Sequence, residues 1–258
     1  MIIVTGANGQ LGRVVTERLL ERIPAGQIGV SLRDPERTGG LEERGVRVRQ
    51  GDFTDPAGLA HAFEGASKVL VVSTDSSGEE AVKHHRTAIK AAAAAGATRI
   101  LYTSHMGSNP SSPFRPMADH AATEAALQDC GVPFTALRNG FYASTVAMLL
   151  GAALSTGELV APEDGPVAWT ARADLAEAAA LALNEDGLDR LTPALTGSEA
   201  IDMAGAATIA MRLTGRSIRR VVVSDTGPTF FSACSPRAGR AISRPPTLRS
   251  PACSAGPR

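Results

Sequence analysis

The chain has 258 residues, enough for one large α/β domain with a smaller substrate-binding portion. Its 26 basic residues balance its 26 acidic residues, so the net charge indicates neither a nucleic acid nor a membrane partner. The three cysteines (Cys130, Cys234 and Cys253) have no metal-binding spacing. The first predicted strand begins at the initiator Met and no apolar run reaches membrane-spanning length, so we expect a cytoplasmic protein.

The first twelve residues combine a β-branched run at 2–4, a glycine-rich turn and the start of an amphipathic helix. A strand that turns directly into a helix presents unpaired helix N–H groups to an anion such as a pyrophosphate. We expect Gly6 to permit the tight turn, Gly9 the close approach of phosphate, and Gly12 the contact of helix with strand. The spacing G-x-x-G-x-x-G differs from the standard dinucleotide motif, so a strand–turn–helix without a ligand is the alternative.

The residues after the second predicted strand, 27–32, bear on the choice of cofactor. In dinucleotide-binding folds an acid at this point binds the ribose 2′-OH of NAD, whereas an Arg accommodates the 2′-phosphate of NADP. Arg33 occupies this position and Asp34 follows it. We therefore predict NADP(H) with Arg33 as the 2′-phosphate ligand. A solvated surface Arg33 is the alternative, and Asp34 leaves NAD(H) open.

The third predicted strand lies within 45–56 and is followed by an acid and an aromatic residue. We expect Asp52 to contact the exocyclic amine of an adenine and Phe53 to lie against its face. The alternative is that Asp52 or Thr54 caps the next helix.

The fourth predicted strand, 67–74, is almost continuously apolar, as is typical of a central parallel strand covered on both faces. It ends in Ser73 and Thr74, whose hydroxyls we expect along the phosphate and ribose side of the cofactor. The next predicted helix, 78–96, contains His84 and His85. Adjacent side chains point about 100° apart on a helix, so we interpret these two as surface or interface residues and not as a metal site.

Three further elements complete the regular alternation: a fifth strand at 98–104, a helix at 118–131 and a strand at 132–142. The loop 105–116, rich in Pro, Ser and Gly, is a candidate lid beyond the strand ends. Strands alternating with helices in this way predict an α/β fold, a Rossmann-type doubly wound parallel sheet.

The pattern loosens after residue 143, and we predict three parts of the chain. These are an NAD(P)-binding Rossmann domain at 1–143, a small substrate-side α/β portion at 144–225, and a Pro/Arg-rich tail at 226–258. For Trp169, core packing is the expected role, and a place in the substrate pocket is the alternative. The tail has no acidic residue and no hydrophobic period, so we expect it to be disordered or the product of an altered reading frame.

Several motifs occur in order along residues 1–225: GANGQLG, RQGDF, LYTS, HAATEAAL, LRNGFY and ARADLAEAAA. In this the chain resembles the NmrA-like branch of the atypical short-chain dehydrogenases, and within it the type 2 NAD(P)H:quinone oxidoreductases and triphenylmethane-dye reductases. The resemblance implies an NADP(H)-binding fold. It implies cofactor contacts by Gly6, Asn8, Gly9, Gln10, Leu11, Gly12, Arg33, Asp52, Phe53, Ser73, Thr74, Thr103 and Asn139. It also implies that Phe141 and Tyr142 help to form the substrate pocket.

Most of the wider superfamily carries Y-x-x-x-K on the helix after the fifth strand, where the Lys lowers the pKa of a proton-donating Tyr. Here the same spacing is occupied by His120 and Glu124, and the predicted helix has neither Tyr nor Lys. We place His120 on the substrate side, where it could donate a proton near neutral pH. A quinone accepts hydride without an obligatory acid, so a conjugated acceptor is favoured over an alcohol or ketone.

The sequence therefore predicts an NAD(P)H-dependent reductase of a quinone-like small molecule. A non-catalytic redox sensor is the alternative, because NmrA-like proteins include regulators that bind the dinucleotide. Among partners we expect no nucleic acid and no membrane, and the sequence is compatible with a homodimer.

Overall fold

A parallel β-sheet forms the centre of the molecule. The computed structural model describes residues 1–185 and 190–224, and within them seven strands pair in the order β3-β2-β1-β4-β5-β6-β8, every pair parallel. Numbered along the chain, these are β1 (Ile2–Thr5), β2 (Ile28–Leu32), β3 (Arg47–Gln50), β4 (Lys68–Val71), β5 (Arg99–His105), β6 (Phe134–Asn139) and β8 (Arg190–Leu191). The strand order reverses between β1 and β4, which is where open α/β sheets bind ligands.

Helices cover both faces of this sheet, as the apolar strands require. The helices are α1 (Gln10–Leu20), α2 (Pro56–Ala62), α3 (Glu79–Ala94), α4 (Arg115–Asp129), α5 (Ala143–Thr156), α6 (Arg172–Asn184) and α7 (Met203–Thr214). One face packs against α1 and α6, and the other against α2, α3 and α4. Successive residues of β1 serve both cores, because Val4 packs on the first face and Ile3 on the second. The doubly wound parallel sheet predicted from the sequence is confirmed.

A second, smaller sheet lies in the C-terminal part. It pairs β7 (Glu158–Pro162) with β9 (Arg219–Val223) in parallel, and α5 and α7 pack together beside it around a separate apolar cluster. Trp169 packs against this cluster, and its indole N–H donates a hydrogen bond to the carbonyl of Ile201 at 3.1 Å. Core packing, the expected role of Trp169, accounts for this position.

The residues after 143 contribute to both the large and the small sheet. The helix α6 packs on α1, and β8 extends the large sheet beside β6, while α5, β7, α7 and β9 build the small one. The predicted domain boundary at residue 143 stays a prediction. The predicted tail, 226–258, lies outside the described residues. Among the described residues, the helices include none that has both the length and the apolar character needed to cross a membrane.

Candidate cofactor and substrate site

The glycine turn after β1 has the geometry that an anion site needs. Gly6 has φ +61°, a left-handed conformation that side chains rarely adopt. A Cβ on Gly12 would lie 2.8 Å from the carbonyl carbon of Gly6, so only glycine lets α1 approach the turn this closely. Gly9 caps α1 without a side-chain hydrogen bond, which leaves the first amides of the helix open to a ligand.

A cavity of about 510 Å³ opens from this turn across the carboxyl ends of β1, β2 and β4. Of the thirteen residues predicted to bind the cofactor, eleven line it: Gly6, Asn8, Gly9, Gln10, Leu11, Gly12, Arg33, Asp52, Phe53, Ser73 and Thr74. Tyr142, predicted for the substrate pocket, also lines this cavity.

The other two predicted cofactor residues, Thr103 and Asn139, lie outside the cavity lining and are buried. The hydroxyl of Thr103 accepts a hydrogen bond from the backbone N–H of Ser73 at 2.8 Å, so it positions a residue that does line the cavity. The Oδ1 atom of Asn139 is buried and has no hydrogen-bond partner among the described residues. An unsatisfied buried acceptor is costly, which is a reason to expect a ligand donor there.

Arg33 lines the cavity, whereas its neighbour Asp34 does not. Arg33 is exposed at the cavity and forms no ion pair with any described residue. The carboxylate of Asp34 accepts the backbone N–H of Glu36 at 3.1 Å and caps a short 3₁₀ turn, and it does not line the cavity. Of these two residues, the cation and not the carboxylate thus faces the cavity at the position that discriminates the ribose 2′ substituent.

Asp52 is held at the cavity by the residue two positions later. Its Oδ1 accepts hydrogen bonds from both the backbone N–H and the hydroxyl of Thr54, each at 2.7 Å, and these bonds lower the pKa of the Asp52 carboxyl. The alternative in which Asp52 or Thr54 caps α2 is wrong, since Asp55 caps it through the backbone N–H of Ala57.

Sequence reasoning missed several residues of the cavity, and Ser31 and Arg172 are the most informative. The Ser31 hydroxyl is buried and has no hydrogen-bond partner within residues 1–185 and 190–224; the sequence signal for it is that Ser31 is the one hydroxyl-bearing residue of the otherwise apolar strand β2. The guanidinium of Arg172 lies 4.5 Å from the ring centre of Tyr142. No local pattern could have shown this, because 29 residues separate the two positions in the chain.

A polar cluster lies under the cavity wall, between α3, β5 and α4. His85 is 2% exposed, so its interpretation as a surface or interface residue is wrong. Its Nε2 accepts the backbone N–H of Thr74 at 3.0 Å, and its Nδ1 lies 3.0 Å from the hydroxyl of Thr123. The hydroxyl of Tyr102 lies 2.7 Å from Nδ1 of His120.

The predicted substrate residues His120 and Phe141 do not line the cofactor cavity, but the rings of both contact His105. His105 connects them: its ring is stacked on His120 with centroids 6.0 Å apart, and it meets Phe141 edge-on at 4.5 Å. Phe141 in turn lies 6.2 Å from the ring of Trp169. The strand β5 ends at His105, and α4 begins at Arg115 with Pro116 in its first turn. The candidate lid therefore lies between these two elements.

These features fit a phosphorylated dinucleotide. Open helix amides suit a pyrophosphate, and the guanidinium of Arg33, which forms no ion pair with a described residue, suits a 2′-phosphate. The buried hydroxyl of Ser31, which lines the cavity and has no hydrogen-bond partner in the described part of the chain, suits an N–H or O–H donor of a ligand.

The comparisons with known proteins agree with this fit. A family model described as NAD(P)H-binding matches residues 6–186. Quinone oxidoreductase 2 of Escherichia coli (strain K12) is 37% identical over 234 residues, which cover 90% of this chain and 80% of that protein. The NmrA-like family domain-containing oxidoreductase flvB of Aspergillus flavus is 30% identical over 92% of this chain and 78% of its own length.

Two solved structures extend the likeness to the fold. The NADPH-dependent quinone oxidoreductase QOR2 from Escherichia coli, complexed with NADPH, superimposes with a TM-score of 0.82 at 36% identity, covering 87% of this chain and 79% of that one. The Citrobacter sp. triphenylmethane reductase complexed with NADP(H) gives 0.80 at 34% identity, with 87% and 80% covered. Since the family model spans most of the chain and the curated relatives match at these identities, this chain belongs to the NAD(P)H-binding NmrA-like family.

Proposed function

We propose that this protein is an NADPH-dependent reductase that transfers a hydride to a quinone or a similar conjugated acceptor. The observation that carries the proposal is the cavity in which an uncapped helix N-terminus and the unpaired guanidinium of Arg33 face the same space. The names of the similar proteins support it, since the Escherichia coli relative is called a quinone oxidoreductase and its structure contains NADPH.

Each of the predicted cofactor residues has a role in this proposal. The turn residues Gly6, Asn8, Gly9, Gln10, Leu11 and Gly12 hold the pyrophosphate, Arg33 the 2′-phosphate, Asp52 and Phe53 the adenine, Ser73 and Thr74 the ribose side, and Thr103 and Asn139 the surroundings of the nicotinamide. NADPH, when bound, supplies the hydride. The protein contributes mainly orientation, which by itself lowers the barrier to hydride transfer.

The acceptor side favours a conjugated, planar molecule. The helix α4 has His120 and Glu124 at the spacing where the wider superfamily carries Tyr and Lys, and Glu124 is engaged by Arg138 and Ser104. A ketone needs a proton donor during reduction, whereas a quinone accepts hydride and takes its proton from water. The aromatic residues His105, His120 and Phe141 offer flat apolar surface for such a ring.

The test is a turnover assay with purified protein, NADPH and a panel of simple quinones together with a triphenylmethane dye. We expect loss of NADPH absorbance that depends on protein and on a quinone. Reactions without protein measure the direct chemical reduction and serve as the control. Tight NADPH binding with no turnover of any acceptor would contradict the reductase and favour the redox sensor.

The redox sensor is otherwise not favoured, because the similar proteins named above are called oxidoreductases or reductases. A cytoplasmic location, the absence of nucleic acid and membrane partners, and a homodimeric assembly remain predictions. Size-exclusion chromatography with light scattering measures the last of these directly.

A further inference from the structure

The hydrogen bonds of His85 fix which of its ring nitrogens carries the proton. A backbone N–H can only donate, so the 3.0 Å bond from Thr74 requires Nε2 of His85 to be an unprotonated acceptor. The proton of the neutral ring is therefore on Nδ1. This N–H faces the hydroxyl of Thr123 at 3.0 Å and that of Tyr102 at 3.4 Å. Burial lowers the pKa of His85 to about 3, which agrees with a neutral ring.

The contacts of Tyr102 determine in the same way which ring nitrogen of His120 carries the proton. Thr123 uses its own hydrogen on the carbonyl of Asp119 at 2.9 Å, so it cannot supply another one to its neighbours. The Tyr102 oxygen faces the Nδ1–H of His85 at 3.4 Å, and its shorter contact is with Nδ1 of His120 at 2.7 Å, so the phenol hydrogen is assigned to the contact with His120. Nδ1 of His120 is thus an acceptor, and the ring proton of a neutral His120 is on Nε2.

The surroundings of His120 keep it neutral. Burial lowers the pKa of His120 to about 4, more than Glu124 and Asp119 raise it. Glu124 is paired with Arg138, whose guanidinium lies 2.7 Å from it, and Asp119 accepts the backbone N–H of Gly78 at 2.7 Å. Both acids are therefore already engaged.

Besides Tyr102, the histidines His105 and His85 are titratable neighbours of His120 among the described residues. His105 accepts the backbone N–H of Gly107 on Nδ1 at 3.0 Å, and burial lowers its pKa, like that of His85, to about 3. At neutral pH neither ring carries a charge. The Nε2–H of His120 has no hydrogen-bond partner among the described residues.

We propose that the Nε2–H of His120 is the hydrogen-bond donor to the reducible carbonyl oxygen of the acceptor, and that Tyr102 and His85 hold His120 in the tautomer that makes this donation. This inference rests on the proposed reductase function. Thr74, which begins the chain of hydrogen bonds, lines the cofactor cavity, and His120, which ends it, lies with Phe141 on the acceptor side.

The step balances without any further reactant. The acceptor gains a hydride, which is one proton together with two electrons, while the cofactor is oxidised by the same two electrons, and negative charge develops on the acceptor's carbonyl oxygen. The neutral N–H of His120 stabilises this charge by a hydrogen bond. The oxyanion then takes its second proton from water, so His120 keeps its own and Tyr102 stays protonated.

Three variants of His120 and a control test the donor. His120→Leu removes the N–H, and we expect kcat/KM for a quinone to fall on the order of tenfold, the equivalent of one lost hydrogen bond. His120→Gln places an amide N–H near the position of Nε2 and should recover part of the loss, whereas His120→Asn, with a shorter side chain, should not. His61→Leu, at an exposed histidine of α2, is the matched control and should change nothing.

Nitrogen-15 NMR of the histidine rings tests the tautomer separately from activity. We expect His120 to be neutral and protonated on Nε2 through the pH range around the ordinary histidine pKa of 6.5, with His85 protonated on Nδ1. Tyr102→Phe, which keeps the ring and removes the hydroxyl, should abolish the preference of His120 for Nε2 and lower kcat/KM without changing NADPH affinity.

The outcomes separate the two proposals. A wild-type protein that binds NADPH and reduces no acceptor overturns the reductase function, and the acceptor contact with it. An active wild type with an equally active His120→Leu overturns the contact alone. A His120 ring that is charged at neutral pH or protonated on Nδ1 overturns the tautomer, and thermal unfolding of each variant identifies any loss caused by misfolding.

Discussion

Single side chains decide which cofactor fits the cavity, and Arg33 is the clearest case. Its guanidinium is exposed and unpaired at the cavity, while Asp34 is occupied by a backbone N–H. Arg33→Ala should therefore weaken NADPH binding on the order of 10- to 100-fold, the range of a lost charge-assisted hydrogen bond, and leave NADH binding nearly unchanged. Titration of the two cofactors by fluorescence measures both. Arg37→Ala, outside the cavity, is the control; equal losses for NADPH and NADH in Arg33→Ala would remove Arg33 from the site.

Adding a methyl group at Gly12 tests whether the glycine turn requires close packing against α1. In Gly12→Ala the new Cβ meets the backbone of Gly6, which cannot rotate away, so α1 must shift. We expect a loss of about 1–3 kcal/mol in the free energy of unfolding, together with weaker cofactor binding. Denaturant unfolding and an NADPH titration measure the two effects. Gly26→Ala is the matched control because a Cβ there has nothing within 4 Å. If both variants behaved alike, close packing at the turn would not be the reason for Gly12.

At the scale of elements, one buried ion pair holds α4 against two strands. Glu124, 5% exposed, accepts hydrogen bonds from Ser104 of β5 and from Arg138 of β6, the latter at 2.7 Å and 3.0 Å. Glu124→Gln should lower the free energy of unfolding by about 2 kcal/mol, less than for a fully buried pair because Arg138 retains some solvent contact. Glu64→Gln, at an exposed ion pair with Arg49, should cost little. Urea unfolding measures the free energy of unfolding of both variants. Equal values for Glu124→Gln and Glu64→Gln would mean that the buried pair does not hold α4.

The order and type of the elements could be predicted from the sequence because they depend on local patterns. The centre of the run 67–74, residues 69–72, is apolar because β4 is covered on both faces, and glycines end several helices. The polar cluster could not be predicted. His85, Tyr102 and His120 belong to three elements, and only the packing of α3 and α4 on β5 brings their rings together.

The whole molecule shows the same contrast between local and distant information. The phosphate turn and Arg33 are close in sequence to the strands that position them, so the cofactor side was predictable. The return of α6 to pack on α1, and with it the arrival of Arg172 at the cavity, depends on the path of the whole chain. A pattern within α6 itself reports burial but not the element against which it is buried.

Phe141 and Tyr142 are neighbours in the chain, yet Tyr142 lines the cofactor cavity and Phe141 contacts His105 on the proposed acceptor side. One peptide unit therefore joins a residue of the cofactor cavity to a residue of the proposed acceptor side. We expect a substitution at either position to disturb its neighbour, so that the kinetic constants for the two ligands change together. Independent adjustment of cofactor and acceptor affinity has to begin at Arg33 and His120, which stand apart from this pair.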